Sequence, residues 1–301
     1  MSVQRSLWLQ EVAGDAPAAP PLTGRGRADV AIIGGGYVGL WTAIRIKQAQ
    51  PSCDVVVRAR GANGATLVAD RLVIATKAWA AGIRELARSI AVISSDIIAT
   101  APIPERLAAL GWHPDLSITD SQTMVDYYRI TRDGRVAFGK GGWTIAFGGR
   151  IGPAFDRSAR RARDVEADFR RYYPLLADVP LTHCWSGPID RTPSSLPLIG
   201  HLGGRSHIVY GIGWSGNGVG PSVVGGRILA ALALGASDEW ARHPLVGRSA
   251  GRFPPEPIKF VGAHLVRAAV VAKERAELQD QRPPAWSVHL ARFAPAGLED
   301  K

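Results

Sequence analysis

Cysteine is nearly absent from this chain: Cys53 and Cys184 are the only two in 301 residues. That excludes a disulfide framework and suits a reducing cytoplasm. Long apolar runs are missing too. The longest, residues 228–236, is far too short to span a bilayer, and Arg227 bounds it. The first ten residues lack the apolar core and small-residue cleavage site of a secretory signal, so a cytoplasmic chain with no membrane span is expected. His183 beside Cys184 is the one hint of a metal pair. Adjacent strand residues point to opposite faces and no second pair follows at ligand spacing, so no metal is expected. The seven histidines are scattered and none is assigned a role.

What is present is a globular composition, 46% hydrophobic and 21% charged, in a chain long enough for one large or two modest domains. The formal charge of +10 raises the question of nucleic acid. Its densest basic block is Arg157, Arg160, Arg161, Arg163, Arg170 and Arg171. Ala162, Val165, Phe169 and Tyr172 recur among them at three- and four-residue spacing, and Asp164, Glu166 and Asp168 are interleaved. This is the pattern of an amphipathic helix with a solvated face, and no nucleic-acid partner is expected.

The strongest motif is a short apolar strand, residues 30–33, that turns through Gly34-x-Gly36-x-x-Gly39 into a helix over 38–48. Each glycine has a purpose: a tight turn at Gly34, close approach to a pyrophosphate at Gly36, and close helix-to-strand packing at Gly39. The unpaired N–H groups at the helix start favour an anion without help from a cationic side chain. A second strand follows at 53–57. In such units an acid about twenty residues beyond the glycines holds the adenosine ribose. Here that place has Arg58, then Ala59 and Arg60. Two readings follow: a site for the 2′-phosphate of NADP, or a strand joined to sequence that belongs elsewhere.

The next segments favour the second reading. Residues 61–64 read as a turn, 66–69 as a short alternating strand, and 71–79 as a buried strand ending in small residues, a hairpin followed by a strand. Strands are predicted over 91–100, 124–131 and 135–139, with Asp133-Gly134 as the hairpin turn between the last two. A block at 185–200 rich in proline, glycine and serine precedes a strand at 208–210. A glycine loop at 211–220 then opens a helix over 221–234, with Val223, Ile228, Leu229 and Leu232 on its apolar side. Gly213-Trp214-Ser215-Gly216-Asn217 nearly matches a hydrolase nucleophile elbow, but Asn217 stands where glycine is needed. The tail carries Pro254, Pro255 and Pro257, a helix over 261–278 and a polar end.

Together, the Gly34-Gly36-Gly39 fingerprint with residues 40–43, Ala75-Thr76-Lys77-Ala78-Trp79, residues 185–200 and residues 211–226 resemble the FAD-dependent D-amino-acid-oxidase-like superfamily. Within it, the gamma-glutamylputrescine oxidoreductase-like branch is most similar. The resemblance implies an α/β fold. An incomplete FAD-binding Rossmann-like domain of the glutathione-reductase type (28–84 and 198–250) would join a sheet-rich α+β substrate domain (85–197), an N-terminal extended arm (1–27) and a helical tail (251–301). It further implies that the chain is shortened near residues 57–61, where members carry a span the size of a small domain.

By the same resemblance, FAD would be held by Gly34, Gly36, Tyr37, Gly39, Thr76, Trp79, Gly187, Gly213, Gly216, Asn217, Gly218 and Val219. A hydride would pass from a small amine or amino acid to the flavin, with oxygen or another acceptor reoxidising it. The N-terminus of the helix after Gly220 would supply donors for the charge developing on the flavin. Trp214, Tyr128 and Arg191 are the catalytic candidates. Trp214 caps a cavity or packs its loop. Of Tyr127 and Tyr128 only one can face a cavity. Arg191 holds an acidic substrate group or is a partly exposed structural arginine paired with Asp190 or a carbonyl. Two other functions stay open: a non-catalytic relative that has lost firm FAD binding, and an NADP-binding reductase.

Overall fold

The computed structural model describes residues 6–12, 24–58, 65–156, 158–249 and 251–295. A short helix α1 (Leu7–Val12) precedes β1 (Arg25–Ile33), α2 (Tyr37–Ala49), β2 (Val55–Arg58) and β3 (Thr66–Ile74). Then come β4 (Ala91–Thr100), α3 (Pro104–Ala109), β5 (Ser117–Thr119), β6 (Asp126–Ile130), β7 (Val136–Ile145), α4 (Pro153–Asp156) and α5 (Ala159–Tyr172). The chain continues through β8 (Leu181–Arg191), β9 (Leu198–His201), β10 (Ile208–Ile212), α6 (Pro221–Leu234), α7 (Ile258–Glu277) and α8 (Ala285–Ala291).

The strands form two sheets. The first has the order β2-β1-β3-β10-β9, parallel except for β9, which runs antiparallel to β10. Val30, Ala31 and Ile32 are all buried in β1, the mark of a parallel strand covered on both faces. Ile32, Ile46, Val73, Val209, Ile228 and Leu229 form the core on the side of α2 and α6. Ile74, Ala78, Leu86, Ile90, Val92, Leu198 and Ile212 form a second core cluster.

The second sheet is antiparallel, β5-β6-β7-β4-β8. α5 lays Val165 and Phe169, both 0% exposed, into a cluster with Ile98, Phe138 and Leu176. Its N-cap is Ser158, whose hydroxyl accepts from the Arg161 N–H at 3.3 Å.

Four expectations from the sequence need correction. Residues 66–74 are one nine-residue strand rather than a hairpin and strand, pairing with β1 along its whole length. The polar break at Asp70 misled because Asp70 meets Arg27 of β1 across the sheet at 3.0 Å. The turn at 61–64 lies outside the described residues. The arm is helical over Leu7–Val12, with Leu7 buried and Trp8 edge-on to Trp185 at 5.2 Å, and its last three residues, 25–27, already belong to β1. Arg161 of the basic block is buried, not solvated, because its Nε donates to the equally buried Asp96 at 2.9 Å. The polar end holds a further helix, α8, packed with Val270 of α7 through Ala291.

Candidate functional site

β1, β3 and β10 are parallel, so their carboxyl ends release three loops along one edge of the first sheet. Such an edge is where open α/β sheets bind ligands. The first loop separates its glycines by what surrounds them. Gly34 has φ +120, and a β-carbon there would lie 2.2 Å from the Ala75 carbonyl oxygen. At Gly39 it would lie 1.9 Å from the Gly34 oxygen. At Gly36 it would meet nothing within 4 Å. Two glycines are therefore required by the fold, whereas nothing in the surrounding backbone requires the middle one. The first intrahelical bond of α2 is Leu40 N–H to Gly36 O, 2.9 Å, leaving the first-turn N–H groups of Tyr37, Val38 and Gly39 for an anion.

The second loop, after β3, opens a short 3-10 helix, Lys77–Gly82. The Thr76 hydroxyl oxygen is buried and has no hydrogen-bond partner among the described residues. Trp79 is 59% exposed. Lys77 takes φ +52, an uncommon conformation for a residue with a β-carbon.

The third loop, residues 213–220, is held by the end of β8. Asp190 is 0% exposed, and its Oδ2 accepts from the Gly213 N–H at 2.6 Å. The Asp190 carbonyl accepts from Ser215 N–H at 3.3 Å, and Arg191 Nη1 donates to the Ser215 carbonyl at 3.2 Å. Burial pushes the Asp190 carboxyl up, opposed by the Gly213 N–H and the Lys77 charge. Gly213 has φ +79 and lies so close to Thr192 that a β-carbon would come within 2.2 Å of its methyl. Gly216, Asn217 and Val219 are exposed ahead of α6, and Gly218 is half-buried against Trp214.

The second sheet contributes a flat row. Gly141, Ser95 and Gly187 stand side by side on β7, β4 and β8. A β-carbon at Gly141 or Gly187 would meet nothing within 4 Å. Tyr127 lies against Gly139 and its hydroxyl is 2.5 Å from Ser95 Oγ. Burial pushes the Tyr127 phenol up to about 12, so it stays protonated at neutral pH.

The three catalytic candidates are not brought together. Tyr128 is in the aromatic cluster beneath α5, 5.8 Å from Trp112 and from Phe138 and 5.2 Å from Tyr173. Its neighbour Tyr127, on the opposite face, is the one beside the glycine row. Trp214 is 6% exposed and packs on Gly225, where a β-carbon would fall 2.3 Å from its ring. It takes the packing alternative. Arg191 is buried and holds the Ser215 carbonyl, a structural position. Sequence reasoning weighed Asp190 only as a partner of Arg191 and gave it no role at the loop, although it is the only acid in the block 185–200. The end of β2 carries Arg58, paired in register with Ile33, and no carboxylate.

Among the described residues no cluster of three or more histidine, cysteine or acidic side chains could hold a metal, and no helix is long and apolar enough to cross a membrane.

A parallel sheet with this glycine fingerprint, beside an antiparallel sheet, defines a two-sheet dinucleotide-binding oxidoreductase fold. The chain belongs to the DAO family of FAD-dependent oxidoreductases, whose profile matches residues 54–232. It is 29% identical over 206 residues to the probable oxidoreductase OrdL of Haemophilus influenzae, covering 64% of this chain and 43% of that protein. It is 28% identical over 243 residues to the gamma-glutamylputrescine oxidoreductase of Escherichia coli, covering 79% of this chain and 53% of that protein. The chain thus spans about half the length of these curated relatives. Among solved structures, L-proline dehydrogenase from P. horikoshii shares the fold at a TM-score of 0.52 and 15% identity, over 75% of this chain and 96% of that one.

Proposed function

We propose that this chain carries an FAD site for oxidising the carbon–nitrogen bond of a small amine or amino acid. The observation that carries the reading is the contrast at Gly34, Gly36 and Gly39: two positions closed by the protein's own backbone flank one left open at a helix N-terminus. The Thr76 hydroxyl on the neighbouring loop adds a buried donor with no acceptor among the described residues. Gly34, Gly36, Tyr37, Gly39 and Thr76 would hold the pyrophosphate. Trp79, Gly187, Gly213, Gly216, Asn217, Gly218 and Val219 would border the flavin. Bound FAD would supply a hydride acceptor for the carbon next to the amine, with oxygen or another acceptor taking the electrons on.

The chain's own part is binding and polarisation. The loop after β10 directs backbone N–H groups at the start of α6, where the helix dipole favours negative charge. The Gly141–Ser95–Gly187 row leaves a flat floor on the second sheet where a substrate can approach. The division of labour follows the sheets, with 28–84 and 198–250 holding cofactor, 85–197 facing substrate and the helices of the tail, α7 and α8, bracing the second sheet.

A specific observation keeps a second reading in view. Arg58 stands where an acid would hold the ribose, so a relative with weakened FAD binding is the alternative. One experiment separates the two. The purified chain is titrated with FAD, following absorbance and quenching of flavin fluorescence, and a panel of small amines is then added without oxygen. Micromolar binding and bleaching of the flavin support the enzyme reading. A chain that stays colourless with FAD in excess would sink it.

A further inference from the structure

We infer that Asp190 is a positioning residue, whose carboxylate sets the loop between β10 and α6 for the flavin. The inference rests on the FAD reading above and names the group that prepares the site for it. The loop closes one turn of its own, Asn217 N–H to the Trp214 carbonyl at 3.0 Å, and is anchored by the buried Trp214, but Gly213 and Gly216 take φ +79 and +92, Ser215 takes +54, and Gly216, Asn217, Val219 and Gly220 are exposed. Glycines confer freedom, which must be removed if their N–H groups are to point one way before a ligand arrives.

The removal comes from the end of β8. Asp190 Oδ2 takes the Gly213 N–H, its backbone oxygen takes the Ser215 N–H, and the next two residues continue the contact. Arg191 Nη1 binds the Ser215 carbonyl and the Thr192 N–H donates to Ser215 Oγ at 3.3 Å. Asp190 and Arg191 at the end of β8, with Thr192 just beyond it, thus grip Gly213 and Ser215 of the loop leaving the first sheet. Asp190 is the one charged member that is wholly buried, and its Oδ1 has no hydrogen-bond partner among the described residues. Burying a carboxylate with one oxygen unpartnered is costly, so plain packing would favour an apolar residue there. Placement of Gly213 is what the carboxylate provides. The same side chain feels the charge of Lys77, at the mouth of the loop after β3. One carboxylate therefore bears on two of the three loops that border the proposed site.

The test compares the full chain with Asp190→Asn, whose amide oxygen can still accept from Gly213, and Asp190→Ala, which cannot. Three quantities are read: amide hydrogen exchange across 213–220 without FAD, the FAD dissociation constant, and the reduction potential of the bound flavin. Asp190→Ala is expected to raise exchange at least tenfold, weaken FAD at least tenfold and make the potential more negative. Asp190→Asn is expected to stay within about threefold of wild type in exchange and affinity. Should Asp190→Ala not fold, Asp190→Leu fills the buried volume without offering the Gly213 N–H an acceptor and is expected to weaken FAD at least tenfold as well. Wild-type affinity and potential in Asp190→Ala, or in Asp190→Leu where that stands in, would overturn the inference. A wild-type chain that binds no FAD overturns the FAD reading and the positioning role with it. Wild-type FAD binding with an unchanged variant overturns the positioning role alone.

Discussion

A single β-carbon distinguishes the three glycines of the first loop. Adding one at Gly39 drives it to 1.9 Å from the Gly34 oxygen, whereas Gly36 has open space and φ −86, which alanine adopts freely. Gly39→Ala is therefore expected to destabilise the chain by about 1–3 kcal/mol or more. Gly36→Ala is expected to leave unfolding unchanged and weaken FAD at least tenfold. Urea unfolding and flavin titration of both variants check this. A stability loss at Gly36 equal to that at Gly39 would refute the assignment.

Another residue sets a pH dependence. Asp126 is 1% exposed, and its carboxyl is pushed up to about 7 by burial, against the pull of Lys140 Nζ at 2.8 Å. Asp120 and Asp168 add to the upward push. The folded chain then holds a proton that the unfolded chain has released above about pH 4, so this group's contribution falls as pH rises from about 4 to about 7. The effect is on the order of a few kcal/mol. Asp126→Asn is expected to flatten it, measured by urea unfolding near pH 5 and near pH 8. A variant whose pH dependence matches wild type would count against it.

At the scale of elements, α6 carries Gly225 and Gly226 in its interior, where helix propensity alone would reject them. Packing explains both. A β-carbon at Gly226 would sit 2.5 Å from Trp41 Cβ of α2, and one at Gly225 would meet the Trp214 ring. The helices approach closely because Gly226 has no side chain, and Gly225 leaves room for the Trp214 ring. Gly226→Ala is expected to cost about 1–3 kcal/mol, read as a lower melting temperature. α5 depends on an ion pair. Arg161→Ala would leave Asp96 buried with only the Ser94 and Ser186 hydroxyls, and a loss of about 3–5 kcal/mol is expected in chemical unfolding. The bounds of α6 and the apolar face of α5 were legible from their spacing. The ion pair was not, because a run of arginines reads as solvated until another strand brings an acid against it.

For the whole molecule, the question is how a chain that spans about half the length of the curated relatives it matches would form the proposed site. Its first sheet is continuous: β3 pairs with β1 in full register and β10 follows β3, so all three carboxyl-end loops sit on one edge. What it lacks is a carboxylate at the end of β2, where Arg58 stands. Affinity should then rest on the pyrophosphate and flavin more than on the ribose. FAD is expected to bind at least tenfold more tightly than FMN, which has no pyrophosphate, in competition titrations. Equal affinity would mean that the Gly34–Gly39 cradle is not used.

The sequence by itself determined the glycine turn between β1 and α2, the helix after the second glycine loop and the family, because glycine spacing and helical periodicity are local properties. Only the tertiary structure decided that Tyr127 and not Tyr128 faces the glycine row, that Trp214 is packing, and that Asp190 grips Gly213. These depend on strand register, on which face of a sheet a helix covers, and on burial of charge by residues far away in the chain. No neighbouring position in the sequence carries that information.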